Sequence, residues 1–340
     1  MRCFVATDSM ASTTVAAWPL AVLETLNGYG VDGVALIREA GLDLDALKAN
    51  PGGRVPTAAM TRLWTLAAER SGEPAIGLQV GKTSLPMHLR VMGLLIQTAP
   101  TIGHILDVAV RYQRLISTGV IVRLQQRPEA VGLEICCLPD VVLHPASIDA
   151  FVAAHVGNLR RLYPEGGVSQ VTLQRTAPAS AAAWQAVLGC PVLFQQQGNI
   201  VWHSRECLQQ PLLLGDAGLW HQHEQLASKE LEALDATPPL ILTLQGLLRA
   251  QGDAVPGLAA LAAAVSMSER SLRRRLSELG SGYRQLVDGW RAERAAQLVR
   301  GGDSLAEVAH RLGFSDASNF SKAFRRWYGV SPDTFRQQDS

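Results

Sequence analysis

The sequence predicts an α+β N-terminal domain followed by an all-α C-terminal domain with two helix-turn-helix motifs joined by a long helix. Three observations carry this. The chain has 340 residues, about twice the usual single-domain length. Its β-rich runs are confined to residues 119–202. A pattern of short helix, tight turn and second helix occurs twice after residue 256, with one long helical stretch between the copies.

Residues 15–82 read as helical. Val22, Leu23 and Leu26 recur at helical spacing, as do Leu63, Trp64, Leu66 and Ala67. Gly28, Gly30, Gly41 and the Pro51-Gly52-Gly53 cluster divide this stretch into short helices. Asp43 and Asp45 flank a helix start, where carboxylates act as caps. Residues 89–114 are again helical, with a helix opening at Pro100-Thr101 and running through Leu106 and Val110. From Gly119 two β-rich runs flank the polar turn Gln125-Gln126-Arg127-Pro128-Glu129, a hairpin signal. Residues 147–163 read as a helix, and residues 168–174, 192–194 and 198–202 as strands. Residues 217–234 form a helix with an apolar stripe of Leu219, Trp220, Leu226, Leu231 and Leu234. That stripe serves either as a subunit interface or as packing on its own domain. Thr237-Pro238-Pro239 is the linker, because proline cannot continue the preceding helix. The boundaries are thus 1–235 for the first domain, 236–240 for the linker and 238–336 for the second domain. Turns in the C-terminal part are expected at Gly252, Gly280, Gly301-Gly302 and Gly313.

Composition excludes several classes. With 47% hydrophobic and 18% charged residues the chain can bury a core. No apolar run reaches the ~18 residues that span a bilayer. Residues 1–20 lack the basic, apolar and small-residue order of a signal peptide, so a cytoplasmic protein without a membrane partner is expected. The five cysteines, Cys3, Cys136, Cys137, Cys190 and Cys207, are odd in number and lack a C-x-x-C spacing, so buried free thiols are expected. His221-x-His223-Glu224 invites a metal, but positions i and i+2 of a helix point apart, so no metal site is assigned. No G-x-S-x-G, Walker loop or G-x-G-x-x-G occurs. No catalytic residue and no cofactor is therefore expected.

The net charge of +1 hides an asymmetry. Residues 256–340 hold 13 basic and 9 acidic side chains, a net of +4, against −3 for the rest. A basic end suits a polyanion. The two motif copies, at about 256–277 and 304–327, explain how. Leu258, Leu261, Ala262 and Val265 match Leu305, Val308, Ala309 and Leu312. Small Ala262 and Ala309 let a second helix cross closely. Ser266-Met267 and Gly313-Phe314 make the turns, and Ser268 and Ser315 stand where helix N-caps belong. The second helices keep Leu272 and Leu276, or Phe320 and Phe324, inward. Outward they present Arg270, Arg273 and Arg274, or Ser318, Asn319 and Lys322, side chains suited to phosphates and to base edges of the major groove. The helix between them, from Tyr283 to Arg300, spans roughly 27 Å. That is near the ~34 Å between successive major grooves on one DNA face.

Residues 238–336 resemble the DNA-binding domain of the AraC/XylS transcription-regulator family. The resemblance rests on Arg291-Ala-Glu-Arg-Ala, Leu305-Ala-Glu-Val-Ala, Gly313-Phe314-Ser315-Asp316, Phe320-Ser-Lys-Ala-Phe and Tyr328-Gly329-Val330-Ser331-Pro332 with Phe335-Arg336. It implies base or phosphate contacts from the six outward residues above. Lys322 stands where the family often has arginine, which keeps a phosphate contact but weakens bidentate reading of guanine. The first 235 residues resemble the arabinose-binding-like effector domain of the branch that regulates amino-acid catabolism and virulence. The marks are Leu63-Trp64, Gly77-Leu78-Gln79-Val80-Gly81, Met92-Gly93-Leu94, Ala99-Pro100-Thr101-Ile102, Cys207-Leu208 and Gln210-Pro211-Leu212. The helical start does not fit the small cupin barrel of sugar-sensing members.

The expected function is a sequence-specific transcription regulator whose N-terminal domain senses a small molecule, dimerises, or both. Its partners are operator DNA, a small-molecule effector, a second copy of the chain and, for an activator, RNA polymerase. The alternative is a DNA-binding regulator without a ligand, controlled by a protein partner or by its amount.

Overall fold

A computed structural model describes residues 12–139, 141–250 and 255–338; Cys3 and the turn at Gly252 lie outside the described residues. They form two compact units. One comprises Ser12–Ala40 and Pro51–Thr237, the other the chain from Pro238 onward together with Gly41–Asn50.

In chain order the elements before the proline pair are β1 (Thr13–Val15), α1 (Ala17–Asn27), α2 (Gly33–Glu39), α3 (Leu44–Ala49), β2 (Arg54–Pro56), α4 (Thr57–Ser71), α5 (Ile76–Thr83), α6 (Val91–Thr98) and α7 (Ile102–Ile116). Then come β3 (Val120–Gln126), β4 (Ala130–Cys137), α8 (Pro145–Leu162), β5 (Val168–Thr172), α9 (Ala182–Leu188), β6 (Val192–Leu193), β7 (Asn199–Ser204) and α10 (Ala217–Ala236). The five-stranded sheet has the order β3-β4-β7-β5-β6, antiparallel except for the β5–β6 pair. The expected hairpin is β3–β4, with Val122 opposite Ile135 and Leu124 opposite Leu133. The stretch read as helical throughout residues 15–82 contains a small exception. β1 and β2 pair as an antiparallel ribbon. Three-residue strands are too short to show alternation against a helical background.

One face of the sheet buries Ile135, Val171 and Val201 against Leu78, Ile148, Val152 and Trp184. Helices α5 and α8 cross at the back of this core. A Cβ on Gly77 would stand 2.1 Å from the Ala146 carbonyl oxygen, and one on Gly81 2.3 Å from that of Ala150. Only glycine lets the two backbones approach so closely. Among the described cysteines all four are free, but only Cys207 is fully buried and Cys137 is exposed, because it ends β4. His221 points outward on α10, while His223 turns back to meet Thr98 Oγ1 at 3.1 Å.

Between β7 and α8 lies a buried histidine pair. His155 Nε2 and His203 Nε2 are 2.9 Å apart, and His203 Nδ1 is 3.3 Å from the Val131 carbonyl. The carbonyl can only accept, so His203 donates from Nδ1 and its Nε2 accepts from His155. Burial pushes His203 down to about 4 and His155 to about 3, the latter also because a charged His203 would face it.

The second unit continues with α11 (Pro239–Ala250), α12 (Leu258–Ala264), α13 (Glu269–Glu278), α14 (Tyr283–Arg300), α15 (Leu305–Arg311), α16 (Ala317–Tyr328) and α17 (Pro332–Gln338). One core runs from Leu240 of α11 through Leu261, Leu272, Trp290 and Val308 to Phe324 of α16.

Two outcomes follow from this packing. Gly77→Ala forces the α5–α8 backbones apart and is expected to cost about 1–3 kcal/mol, as overpacking does; chemical denaturation reads this as a lower midpoint. The histidine pair makes stability pH-dependent. Below pH 6.5 the unfolded chain binds protons that the folded chain refuses, so stability falls as pH drops from 6.5 toward 4. Buried Asp149, raised to about 6 by burial against the pull of Arg175, works in the opposite sense, its share growing below pH 6. The thermal midpoint of the full chain should therefore fall between pH 7 and 6, and His203→Gln should flatten the fall in part, since burial also lowers His88 and His144. A midpoint that stays level in both chains contradicts the assignment.

Candidate nucleic-acid interface

Each helix-turn-helix is built from local rules. In the first, Val265 is the C-cap of α12 and Ser268 the N-cap of α13, its Oγ accepting from the Ser271 amide at 3.1 Å. Ser266 takes the left-handed turn conformation with φ 54°. Gly313 takes it in the second motif with φ 72°. The second motif opens on a capping box, in which Ser304 N donates to Glu307 Oε2 at 3.0 Å and Glu307 N donates to Ser304 Oγ at 3.3 Å.

The cap of α16 differs from expectation. It is Asp316, not Ser315, whose Oδ1 accepts from the Asn319 amide at 2.7 Å. The second turn is one residue longer than the first, so the cap moves on by one. A carboxylate at that position also meets the positive end of the helix dipole. The bond from the Asn319 amide holds the Asp316 carboxyl below its usual range.

All six candidate residues are exposed. Arg270, Arg273 and Arg274 share a face of α13, being three and four residues apart. Leu272 and Leu276 anchor the opposite face. Arg273 lies 3.7 Å from Glu269 and Arg274 3.6 Å from Glu278, both exposed pairs. Such pairs are worth about 0.3–0.5 kcal/mol, so they yield readily to a phosphate. On α16, Ser318 and Lys322 share a face opposite Phe320 and Phe324. Asn319 is committed to the cap, donating from Nδ2 to Ser315 Oγ at 2.8 Å and to Asp316 Oδ2 at 2.9 Å.

Sequence reasoning passed over Arg325. It is exposed one turn beyond Lys322 on the same face of α16. Continuing the helical spacing from Ser318 and Lys322 would have found it. Sequence reasoning also gave no role to Arg291. Its Nε donates to the Leu312 carbonyl at 3.0 Å, and its guanidinium lies 5.2 Å from the Phe314 ring centre. It fastens the turn of the second motif to α14.

Among the described residues no helix is long and apolar enough to cross a membrane. The N-terminal arabinose-binding domain of AraC transcription regulators matches residues 30–212, and a helix-turn-helix domain matches residues 261–338. The ornithine utilization regulator of Pseudomonas aeruginosa is 29% identical over 94% of this chain and 95% of its own length. The regulator VqsM of the same organism is 42% identical over 25% of this chain and 26% of its own. Among solved structures, the transcriptional regulator CdpR from Pseudomonas aeruginosa is 23% identical, covering 81% of this chain and 90% of that one with a TM-score of 0.42. These relatives are transcriptional regulators, not enzymes. Matched over more than half its length by the AraC N-terminal domain, with the helix-turn-helix domain behind it, the chain belongs to the AraC family of DNA-binding transcription regulators.

Proposed function

We propose that the chain grips operator DNA with α13 and α16, and that its N-terminal domain senses a small molecule and forms a homodimer. The carrying observation is the pair of exposed polar faces: Arg270, Arg273 and Arg274 on one second helix, Ser318, Asn319 and Lys322 on the other. In this reading residues 1–235 sense and dimerise, residues 236–240 link, and residues 238–336 read DNA. Arg325 joins the phosphate contacts of α16. For Asn319 to read a base, its amide must leave the cap.

The effector role follows the match to the arabinose-binding domain. One relative is named for ornithine utilization, which raises a diamino acid as the ligand class. Such a ligand carries several charges, and buried charges need charged partners. The lining of the sensing site is then the deciding observation.

Dimerisation is supported by α10. This helix packs across α6 and α7. Its inner face is anchored by Ala227 and Leu234, and by Ser228, which meets the Tyr112 hydroxyl at 2.9 Å. The sequence stripe is thereby divided: Leu234 is buried, Trp220 and Leu231 are half-buried, and Leu219 and Leu226 remain exposed at 45% each. Two exposed leucines seven residues apart suit a helix seam with a second copy.

Two experiments test this reading. Binding of the full chain to DNA selected from a random pool should weaken steeply with salt. Arg273→Ala should cost about 1–3 kcal/mol at the selected site and relax specificity there, as loss of a base contact does. Lys322→Ala should instead weaken binding evenly across sequences and lower the salt slope by about one. Unchanged affinity in both variants would sink the assignment of these helices. Separately, sedimentation should find a dimer at tens of micromolar, and Leu226→Glu should yield a folded monomer. A parent chain that sediments as a monomer defeats the dimer.

A further inference from the structure

A partly open cavity of about 100 Å³ lies inside the N-terminal unit. Helices α1, α4, α7 and α8 wall it together with β3 and β4. The walls are dominated by Trp18, Met60, Trp64, Ile148 and Phe151. None of its lining side chains is ionisable.

The polar groups on its walls are largely spoken for. Thr14 Oγ1 donates to the Ile116 carbonyl at 3.0 Å, and Thr61 Oγ1 to that of Val142 at 2.9 Å. Ser147 Oγ donates to the His144 carbonyl at 2.7 Å, and Gln113 Nε2 to that of Val110 at 3.0 Å. Gln113 Oε1 accepts from the Val122 amide. Thr57 is different. It lines the cavity at 5% exposure, and its Oγ1 has no hydrogen-bond partner. A buried hydroxyl left unpaired is costly, and buried polar groups almost always find a partner.

We propose that this cavity is the effector site, and that the effector is a small uncharged molecule, mostly hydrocarbon, with one polar group bonded to Thr57. The proposal rests on the effector-sensing reading above. A zwitterion or a diamino acid would have to bury several charges among indole, thioether and alkyl groups with no ionised partner. A sugar would leave most of its hydroxyls unpaired for the same reason. Size narrows the class further. An apolar cavity of about 150 Å³ takes benzene, so this smaller one encloses a short alkyl chain, and takes a small ring only with part of it reaching out through the open side.

The test uses the full chain with four probes: benzyl alcohol, toluene, benzoate and L-ornithine. Binding is followed by thermal midpoint and by ligand titration. Benzyl alcohol should bind saturably and raise the midpoint, with toluene weaker. Thr57→Val keeps the side-chain volume and loses no bond within the protein. It should weaken benzyl alcohol about three- to tenfold, the worth of one hydrogen bond, and leave toluene unchanged. Ala109→Leu, which fills the cavity from α7, should abolish binding of both. If that variant fails to fold, the Thr57→Val comparison decides alone. Saturable binding of benzoate or L-ornithine with the neutral probes silent overturns the ligand class. Neutral probes that bind Thr57→Val and Ala109→Leu as they bind the parent overturn the site. DNA affinity separates the two levels. A bound probe that leaves both DNA affinity and dimerisation unchanged overturns the effector reading itself, while the chemistry of the cavity stands.

Discussion

Helix α14 carries both helix-turn-helix motifs on one backbone, and the placing of α13 relative to α16 depends on how each is fastened to it. Toward its first half, Leu286, Val287 and Trp290 enter the core that also holds Leu261 and Leu272. Arg249 forks onto Glu293 through bonds of 2.8 and 2.9 Å, and the Tyr283 hydroxyl donates to the Pro256 carbonyl at 3.0 Å. The second motif is tied more elaborately. Arg291 holds the end of α15, the Tyr328 hydroxyl donates to the Ala292 carbonyl at 2.9 Å, and Arg326 reaches Asp288 at 3.1 Å. Arg336 closes the far end, donating to the carbonyls of Val299 at 2.9 Å and Asp303 at 2.6 Å. Cationic donors at the C-terminus of a helix satisfy its orphan carbonyls and oppose its dipole. Arg291 and Arg336, which belong to the motifs that carry the family resemblance, are therefore structural: they tie the second motif to α14, while Arg326 stays exposed.

That division explains what was legible in the sequence. Helical periodicity and the doubled turn chemistry revealed α12 to α16, because small alanines, turn residues and caps are local signals. The cap of α16 was missed by one residue because the two turns differ in length, which alignment of the copies conceals. The Ser304–Glu307 capping box was present in the letters as Ser-x-x-Glu and was legible. Arg325 could have been found by carrying one spacing further. The β1–β2 ribbon was not legible, since three residues show no period. Gly77 and Gly81 stood out as a family mark, but their reason, a backbone-to-backbone crossing with α8, exists only in three dimensions. The cavity was invisible for the same cause: its walls are drawn from segments between Thr14 and Phe151 that meet only in the fold.

The stripe on α10 shows how tertiary structure overrides a local pattern. Read as letters, five apolar residues define one face. In the fold, much of the inner face is polar: His223 meets Thr98, Glu224 pairs with Arg111, Ser228 meets Tyr112 and Asp235 pairs with Arg114. Polar anchors specify register and orientation, whereas apolar ones supply most of the hold. With only Ala227 and Leu234 fully buried, α10 is oriented closely but held lightly.

Helix α7 stands between the cavity and α10. Ala109, Gln113 and Ile116 line the cavity, at spacings of four and three. Arg111, Tyr112 and Arg114 of the same helix make the bonds to α10. A 15-residue helix moves as a unit, so displacement of its cavity face carries those bonds with it. The two sides resist differently. Toward the sheet, Leu106 and Ala109 pack with Val122, Val131 and Leu133, contacts that cost several kcal/mol in sum to lose. Toward α10, the Arg114–Asp235 pair is exposed and the Arg111–Glu224 pair half-buried on its Glu224 side, and such pairs near the surface are worth about 0–1 kcal/mol each. If the cavity is the effector site proposed above, strain from filling it would be relieved on the α10 side. There the surface presents Leu219 and Leu226, the residues a second copy would cover.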